Sequence, residues 1–300
     1  MDQLVTKLRS ETRQGAVPFR RGRFRSLSLS GFHEIAYQDW GPEDAESTIV
    51  CVHGLTRQSR DFDTLASALA AQGHRVICPD LPGRGESQWL RNTMDYVFPQ
   101  YCADMTTMMA GLKGRVSWVG TSLGGLIGIV LAGSPGSPID RLVLNDIGPE
   151  VAFSAASRVG MRCASMPSTF ASIEEAELYY RKAFVTCGPM DEDQWRDFVA
   201  HSLTYDEGKK RYASRMDPKV ATAFNMLWYY QIPLWNYFRA IRAPVMSIRG
   251  EFSDFAPRTL VLAMQKIKPD LTTYETPGAG HMPMLMSDGE VDAIKRFLEI

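Results

Sequence analysis

Apolar positions follow two rhythms along this chain. As far as residue 148, short apolar runs alternate with stretches where apolar side chains recur every three or four positions. Residues 49–52 and 76–78 are continuous apolar runs, and 116–119 and 142–144 read the same way. Such runs predict strands covered on both faces. Between them Phe62, Leu65 and Leu69 share one helical face, and 96–112 and 123–131 fit helices. Residues 23–29 and 33–40 predict two strands joined at Ser30-Gly31, a hairpin signal. Strands alternating with helices imply an α/β fold with a mainly parallel sheet.

The rhythm breaks after Ile147-Gly148. From 149 to 238 the pattern is helical, with no convincing strand. It then resumes with a strand at 244–248, a helix at 257–267, a strand at 271–275 and a helix at 291–298. The expected organisation is a core domain made of 23–148 and 239–300, a helical block inserted at 149–238, and a basic extension at 1–22. The extension and the start of the first strand carry Lys7, Arg9, Arg13, Arg20, Arg21, Arg23 and Arg25. An arm for an acidic partner is one reading; a solvated lead into the first strand is the simpler one.

Composition narrows the function. Lys and Arg total 33 against 34 Asp and Glu, a net charge of −1, which argues against a nucleic-acid partner. Five widely spaced cysteines without a C-x-x-C motif predict neither a disulfide framework nor a zinc site. No apolar secretory segment opens the chain, so a cytoplasmic location is expected. The uncharged stretch 116–133 approaches the length of a membrane span, but its five glycines and central Gly-Thr-Ser-Leu-Gly-Gly fit a buried strand, turn and helix better. No membrane association is expected.

The strongest chemical signal is Gly120-Thr121-Ser122-Leu123-Gly124, placed where a strand turns into a helix. A nucleophile on so sharp a turn needs small neighbours, which explains glycine two positions to either side. The serine hydroxyl is a poor nucleophile without a base. Of His33, His53, His74, His201 and His281, only His281 stands in a loop after the last strand, within reach of the serine across the sheet edge. An acid must orient that base. Asp254, in Gly250-Glu251-Phe252-Ser253-Asp254, is the first choice; Asp146 is the alternative, and Glu251 a third. Backbone N–H groups of Leu55 and Leu123 are placed to hold an oxyanion. No metal-ligand spacing and no cofactor motif occurs, so neither is expected.

The order of these motifs resembles the α/β-hydrolase superfamily over about 23–300. The matching elements are His53-Gly54-Leu55, Asp80-Leu81-Pro82-Gly83-Arg84-Gly85-Glu86-Ser87, the Ser122 pentapeptide with Gly125, Gly250 to Asp254, and Gly280-His281. The resemblance implies an eight-stranded, mostly parallel sheet flanked by helices, with a helical cap inserted after the sixth strand. The family order of nucleophile, acid and base fits Ser122, Asp254 and His281. Family dehalogenases and epoxide hydrolases carry an aspartate at the elbow, so Ser122 disfavours both. Thr121 stands where carbon–carbon hydrolases usually have asparagine.

The cap region is rich in large soft side chains, and Met282, Met284 and Met286 follow the histidine. Pocket walls are mainly apolar, and methionine makes them adaptable. Trp228, Trp235 and Met282 are therefore candidate substrate contacts. Arg57, Arg60 and Asp61 flank the oxyanion loop, where a surface ion pair is expected rather than a substrate-carboxylate site. The expected activity is cofactor-free hydrolysis of small to medium apolar or aromatic carboxylic esters through an acyl-enzyme. Lactone hydrolysis and dienoate carbon–carbon cleavage are alternatives, as is a small-molecule receptor on a hydrolase fold. Rapid turnover of simple esters separates the enzyme from the receptor.

Overall fold

The computed structural model describes residues 17–227 and 233–300. Its strands in the core are β1 (Phe19–Ser28), β2 (Gly31–Trp40), β3 (Ser47–Val52), β4 (Arg75–Pro79), β5 (Arg115–Thr121) and β6 (Ile139–Asn145). Helices α1 (Asp63–Ala70), α2 (Phe98–Ala110) and α3 (Leu123–Gly133) alternate with them. The insertion holds α4 (Phe153–Ala164), β7 (Thr169–Phe170), α5 (Ile173–Ala183), α6 (Glu192–Ser202), β8 (Leu203–Asp206), β9 (Arg211–Ser214) and α7 (Pro218–Leu227). Helix α8 (Trp235–Ala240), strand β10 (Val245–Gly250), helix α9 (Arg258–Ile267), strand β11 (Thr272–Thr276) and helix α10 (Asp288–Leu298) complete the order.

The eight core strands form one sheet in the order β1-β2-β4-β3-β5-β6-β10-β11. The β1–β2 and β2–β4 pairs are antiparallel, and the remaining pairs are parallel. The parallel strands β3, β5, β6 and β10 are buried along most of their length, as their apolar runs require. Apolar clusters lie on both faces. Trp118, Leu142 and Leu144 belong to one; Cys51, Val119, Val143 and Ile248 belong to the other. All parallel strands end at one edge, and the site assembles there.

Three details depart from the sequence reading. The first strand begins at Phe19, inside the expected extension, so Arg20 and Arg21 join Arg23 and Arg25 as strand residues. They charge the free edge of the sheet, which discourages pairing with another chain. The insertion also contains a three-stranded antiparallel sheet, β7-β9-β8. Its strands of two to four residues are too short to show a period of two, though Tyr205 and Tyr212 do form a cross-strand pair at 5.1 Å. Finally, α8 packs on the core rather than the insertion: the Gly133 Cα faces the Tyr237 backbone so closely that a Cβ would come within 2.3 Å of its carbonyl oxygen.

The insertion is fastened to the Asp80–Ser87 turn. The Asp217 N–H donates to the Gly83 carbonyl at 2.8 Å, and the Tyr96 hydroxyl donates to the Asp217 carboxylate at 2.7 Å. The Leu90 N–H donates to the same tyrosine oxygen at 2.7 Å. Among the described residues no helix is long and apolar enough to cross a membrane.

Candidate active site

Ser122 lies between β5 and α3 with φ 50° and ψ −111°, a strained conformation for a residue with a side chain. The flanking glycines are sterically required. A Cβ on Gly120 would lie 2.4 Å from the Gly124 backbone, and one on Gly124 would lie 2.0 Å from the Val52 carbonyl oxygen. The elbow thus presses against β3, the strand that delivers the loop 53–57. Ser122 is 4% exposed. Leu123 opens α3, so its N–H is among the helix-start donors without an intrahelical partner.

His281 reaches this edge from the loop after β11. Its Nδ1 lies 2.7 Å from Asp146 Oδ2. A carboxylate only accepts, so Nδ1 carries the proton and Nε2 of the neutral ring keeps a free lone pair. The ring stacks on Phe255 with centroids 3.8 Å apart. A point 3.3 Å from Met282 Sδ and 3.5 Å from Ser122 Cβ lies beside Gly54, which brings the histidine loop, the elbow and the oxyanion loop together.

Asp254, expected to orient His281, lies elsewhere. Its side chain is 51% exposed and pairs with Arg158 of the insertion. The carboxylate at the imidazole belongs to Asp146, the residue immediately after β6, with φ 57° and no exposure. Asp146 Oδ1 accepts the Gly250 N–H at 2.9 Å, and Oδ2 accepts the Ser253 hydroxyl at 2.8 Å. The loop after β10 therefore supplies Ser253 to the site, one position before the predicted residue. Glu251 caps the turn instead, accepting the Gly278 N–H at 2.9 Å. A signal for Asp146 was present: a charge between the apolar run 142–144 and Ile147, where a buried carboxylate requires partners.

The loop 53–57, which carries the expected oxyanion donor Leu55, is held from several sides. Leu81 N–H donates to His53 Nε2 at 2.9 Å, so the proton resides on Nδ1, which donates to the Gly54 carbonyl at 2.7 Å. That carbonyl belongs to the peptide whose N–H is that of Leu55. Burial pushes the His53 pKa down to about 3, keeping the ring neutral. The next carbonyl, of Leu55, accepts from Arg84 Nε at 2.8 Å. Arg84 is fully buried and also donates to Pro82 O and the Tyr101 hydroxyl.

A small cavity beside the elbow is lined by Gly54, Asp61, Phe62, Thr121, Met282 and Met284, among others. Met282, a candidate substrate contact, borders this cavity. Trp235 is not in this lining: its Nε1 donates to Glu150 at 2.8 Å and its ring meets Phe238 edge-on, on the side of α8. Trp228 lies outside the described residues. Arg57 does form an ion pair, but a buried one. It donates to Asp61 at 2.8 and 2.5 Å and to Ser202 of α6 at 3.1 Å, and it lies 3.5 Å from the Phe198 ring centroid. With both carboxylate-binding edges committed, it has little left for a substrate anion.

A cleft of about 310 Å³ opens between the β1–β2 hairpin, residues 58–60 and the insertion. Four arginines line it, yet each faces a carboxylate. Arg23 meets Glu34 and Arg60 meets Asp63, while Arg21 and Arg215 share Glu86 at 3.7 and 3.9 Å. Among the described residues no three His, Cys, Asp or Glu side chains converge as a metal site.

The chain as a whole is similar to known proteins. A model of the alpha/beta hydrolase fold matches residues 47–287. The chain is 38% identical over 286 residues to a 3-hydroxybutyrate-oligomer hydrolase of Cupriavidus necator, covering 93% of this chain and 97% of that protein. An alpha/beta hydrolase from Novosphingobium aromaticivorans has a TM-score of 0.84 at 29% identity, with 95% of this chain and 99% of that one covered. An E-2-(acetamidomethylene)succinate hydrolase shares the fold, with a TM-score of 0.80 at 20% identity over 94% and 100% of the two chains. The chain belongs to the α/β-hydrolase fold family. It is a hydrolase of that fold, as the order of its sequence motifs implied.

Proposed function

We propose that this protein is a serine hydrolase of carboxylic esters whose substrate class is short oligoesters of 3-hydroxy acids. The observation that carries the mechanism is the His281–Asp146 pair beside the strained Ser122 elbow. Similarity across almost the whole length of the 3-hydroxybutyrate-oligomer hydrolase supports the substrate class. Such a substrate is smaller and more polar than the apolar or aromatic ester expected from the cap composition.

His281 Nε2 takes the Ser122 proton as Oγ attacks the ester carbonyl. The Leu55 and Leu123 N–H groups stabilise the tetrahedral oxyanion. Asp146, rather than Asp254, fixes the imidazole tautomer and stabilises its cation. The intermediate collapses as His281 returns the proton to the departing alkoxide oxygen, which leaves as an alcohol, and the acyl group stays on Ser122. Water activated by the same histidine then releases the acid and restores the serine. The first step frees a shortened oligomer with a new hydroxyl end; the second frees a hydroxy acid or its oligomer.

The test is a substrate panel run on the purified protein: 3-hydroxybutyrate dimer and trimer, aryl esters of graded acyl length, a lactone and a dienoate. The expected result is rapid release of monomer from the oligomers, with slower turnover of the aryl esters. Tight binding without turnover of any ester would overturn the reading in favour of a receptor. Preferential cleavage of the lactone or dienoate would reassign the reaction.

A further inference from the structure

We propose that Asn145 is a positioning residue that fixes the distance between the nucleophile elbow and the histidine loop. The inference rests on the assignment of Ser122, His281 and Asp146 as the reacting set. Asn145 is the last residue of β6 and is fully buried. Its side-chain Nδ2 lies 3.0 Å from Thr121 Oγ1 and 2.8 Å from the Pro283 carbonyl oxygen. A proline carbonyl can only accept, so the atom facing it must be the amide nitrogen. The two N–H bonds of one NH₂ group therefore join the residue before the nucleophile to the loop two residues after the base.

The main chain completes the bracket. The Ser122 N–H donates to the Asn145 carbonyl at 3.0 Å, and the following residue is Asp146, bonded to His281. One dipeptide thus touches the elbow twice and the histidine loop twice. Its own place is fixed by the sheet, where Asn145 pairs with Thr121 on one side and Ile248 on the other.

Stability does not account for an amide at this position. The centre of a parallel sheet favours valine, isoleucine or leucine, and a buried amide loses its hydration. Asn145 Oδ1 has no hydrogen-bond partner among the described residues, so part of that cost stays uncompensated. The NH₂ group, by contrast, is fully used, and both its partners border the cavity beside Ser122. Catalytic groups lose on the order of 10²-fold in rate when misplaced by about 1 Å, so a brace between two loops has a measurable effect.

The experiment measures kcat and KM per titrated active site for Asn145→Ala, Thr121→Val and Thr121→Ser, with Ser122→Ala as reference. It also measures the rate of inactivation by an aryl phosphonate. Asn145→Ala is expected to lower kcat by about 10²-fold with KM within twofold, and to slow phosphonylation in parallel. Thr121→Val, which keeps the shape but removes the acceptor, should lose roughly five- to tenfold, and Thr121→Ser should restore it. A wild-type kcat in Asn145→Ala, or a loss confined to KM, would overturn the proposal. If Asn145→Ala does not fold, the threonine pair decides: equal activity of the valine and serine variants rejects the brace. Turnover by Ser122→Ala would instead reject the underlying mechanism, whatever Asn145 does.

Discussion

The core sheet and the inserted cap solve different problems with different materials. At the carboxyl edge of β3, β5, β6 and β10, buried carboxylate, imidazole, amide and guanidinium groups are held, mostly against loop backbone, by hydrogen bonds of 2.7–2.9 Å. The cap interior is aromatic instead: Phe170, Tyr180, Phe184, Trp195 and Phe198 pack at ring separations of 5.2–6.0 Å. Directed polar contacts hold reacting atoms in place, while aromatic packing fills volume and tolerates change. The contrast assigns directed positioning to the first region and packing volume to the second.

The sharpest way to break the comparison is through the core. Ser122→Ala should lower ester turnover by 10³-fold or more while leaving the fold intact. Activity close to wild type in the purified variant would remove the elbow from the mechanism. Next comes the acid. Asp146→Asn should reduce kcat by roughly 10²- to 10⁴-fold, because the amide cannot stabilise the imidazolium. Asp254→Asn, on an exposed pair with Arg158, should change it less than twofold. The opposite order in steady-state assays would move the acid to the loop after β10.

Two smaller effects sharpen the comparison through stability. His53 stays neutral in the fold, with a pKa near 3, but takes a proton near 6.5 when unfolded. Its contribution is therefore complete above pH 6.5 and is lost as pH falls toward 3. The stability advantage of wild type over His53→Asn should shrink by about 1.4 kcal/mol per unit below that point. Urea unfolding at pH 8, 6 and 5 measures this, and a constant advantage would mean that the folded protein protonates His53. At the cap junction, Tyr96→Phe removes the bonds to Leu90 and Asp217 and should cost about 1–3 kcal/mol. Because that bond fastens the cap and not the reacting atoms, kcat per folded molecule should hardly move. A large kcat loss at unchanged stability would show that the boundary between the two regions is drawn in the wrong place.

The sequence made the sheet legible because central parallel strands leave a continuous apolar trace, and because glycine spacing at the elbow answers to a steric need. The same trace makes Ser122, His281 and the loop 53–57 candidates, because each follows a parallel strand at one edge of the sheet. The partner of His281 was harder to locate. Asp146 and Asp254 both follow parallel strands at one edge, and linear order cannot tell which carboxylate turns inward. That choice depends on the left-handed φ of Asp146 and on Ser253 occupying the space beside it. The small cap sheet escaped notice because strands of two to four residues have no readable period. Asn145 carries no such signal, because a polar pair ending an apolar run looks like the end of a strand.

One contact between the regions ties the insertion to the histidine loop. Thr186, between α5 and α6, accepts the Gly280 N–H on its carbonyl at 2.7 Å and donates its hydroxyl to the His281 carbonyl at 2.8 Å. The loop carrying the base is thus supported by the cap as well as by the core. Cutting the insertion away, or shifting this one turn, would loosen the loop that carries His281. The turn at Thr186 is thus part of the histidine's mounting, although 95 positions of chain separate the two.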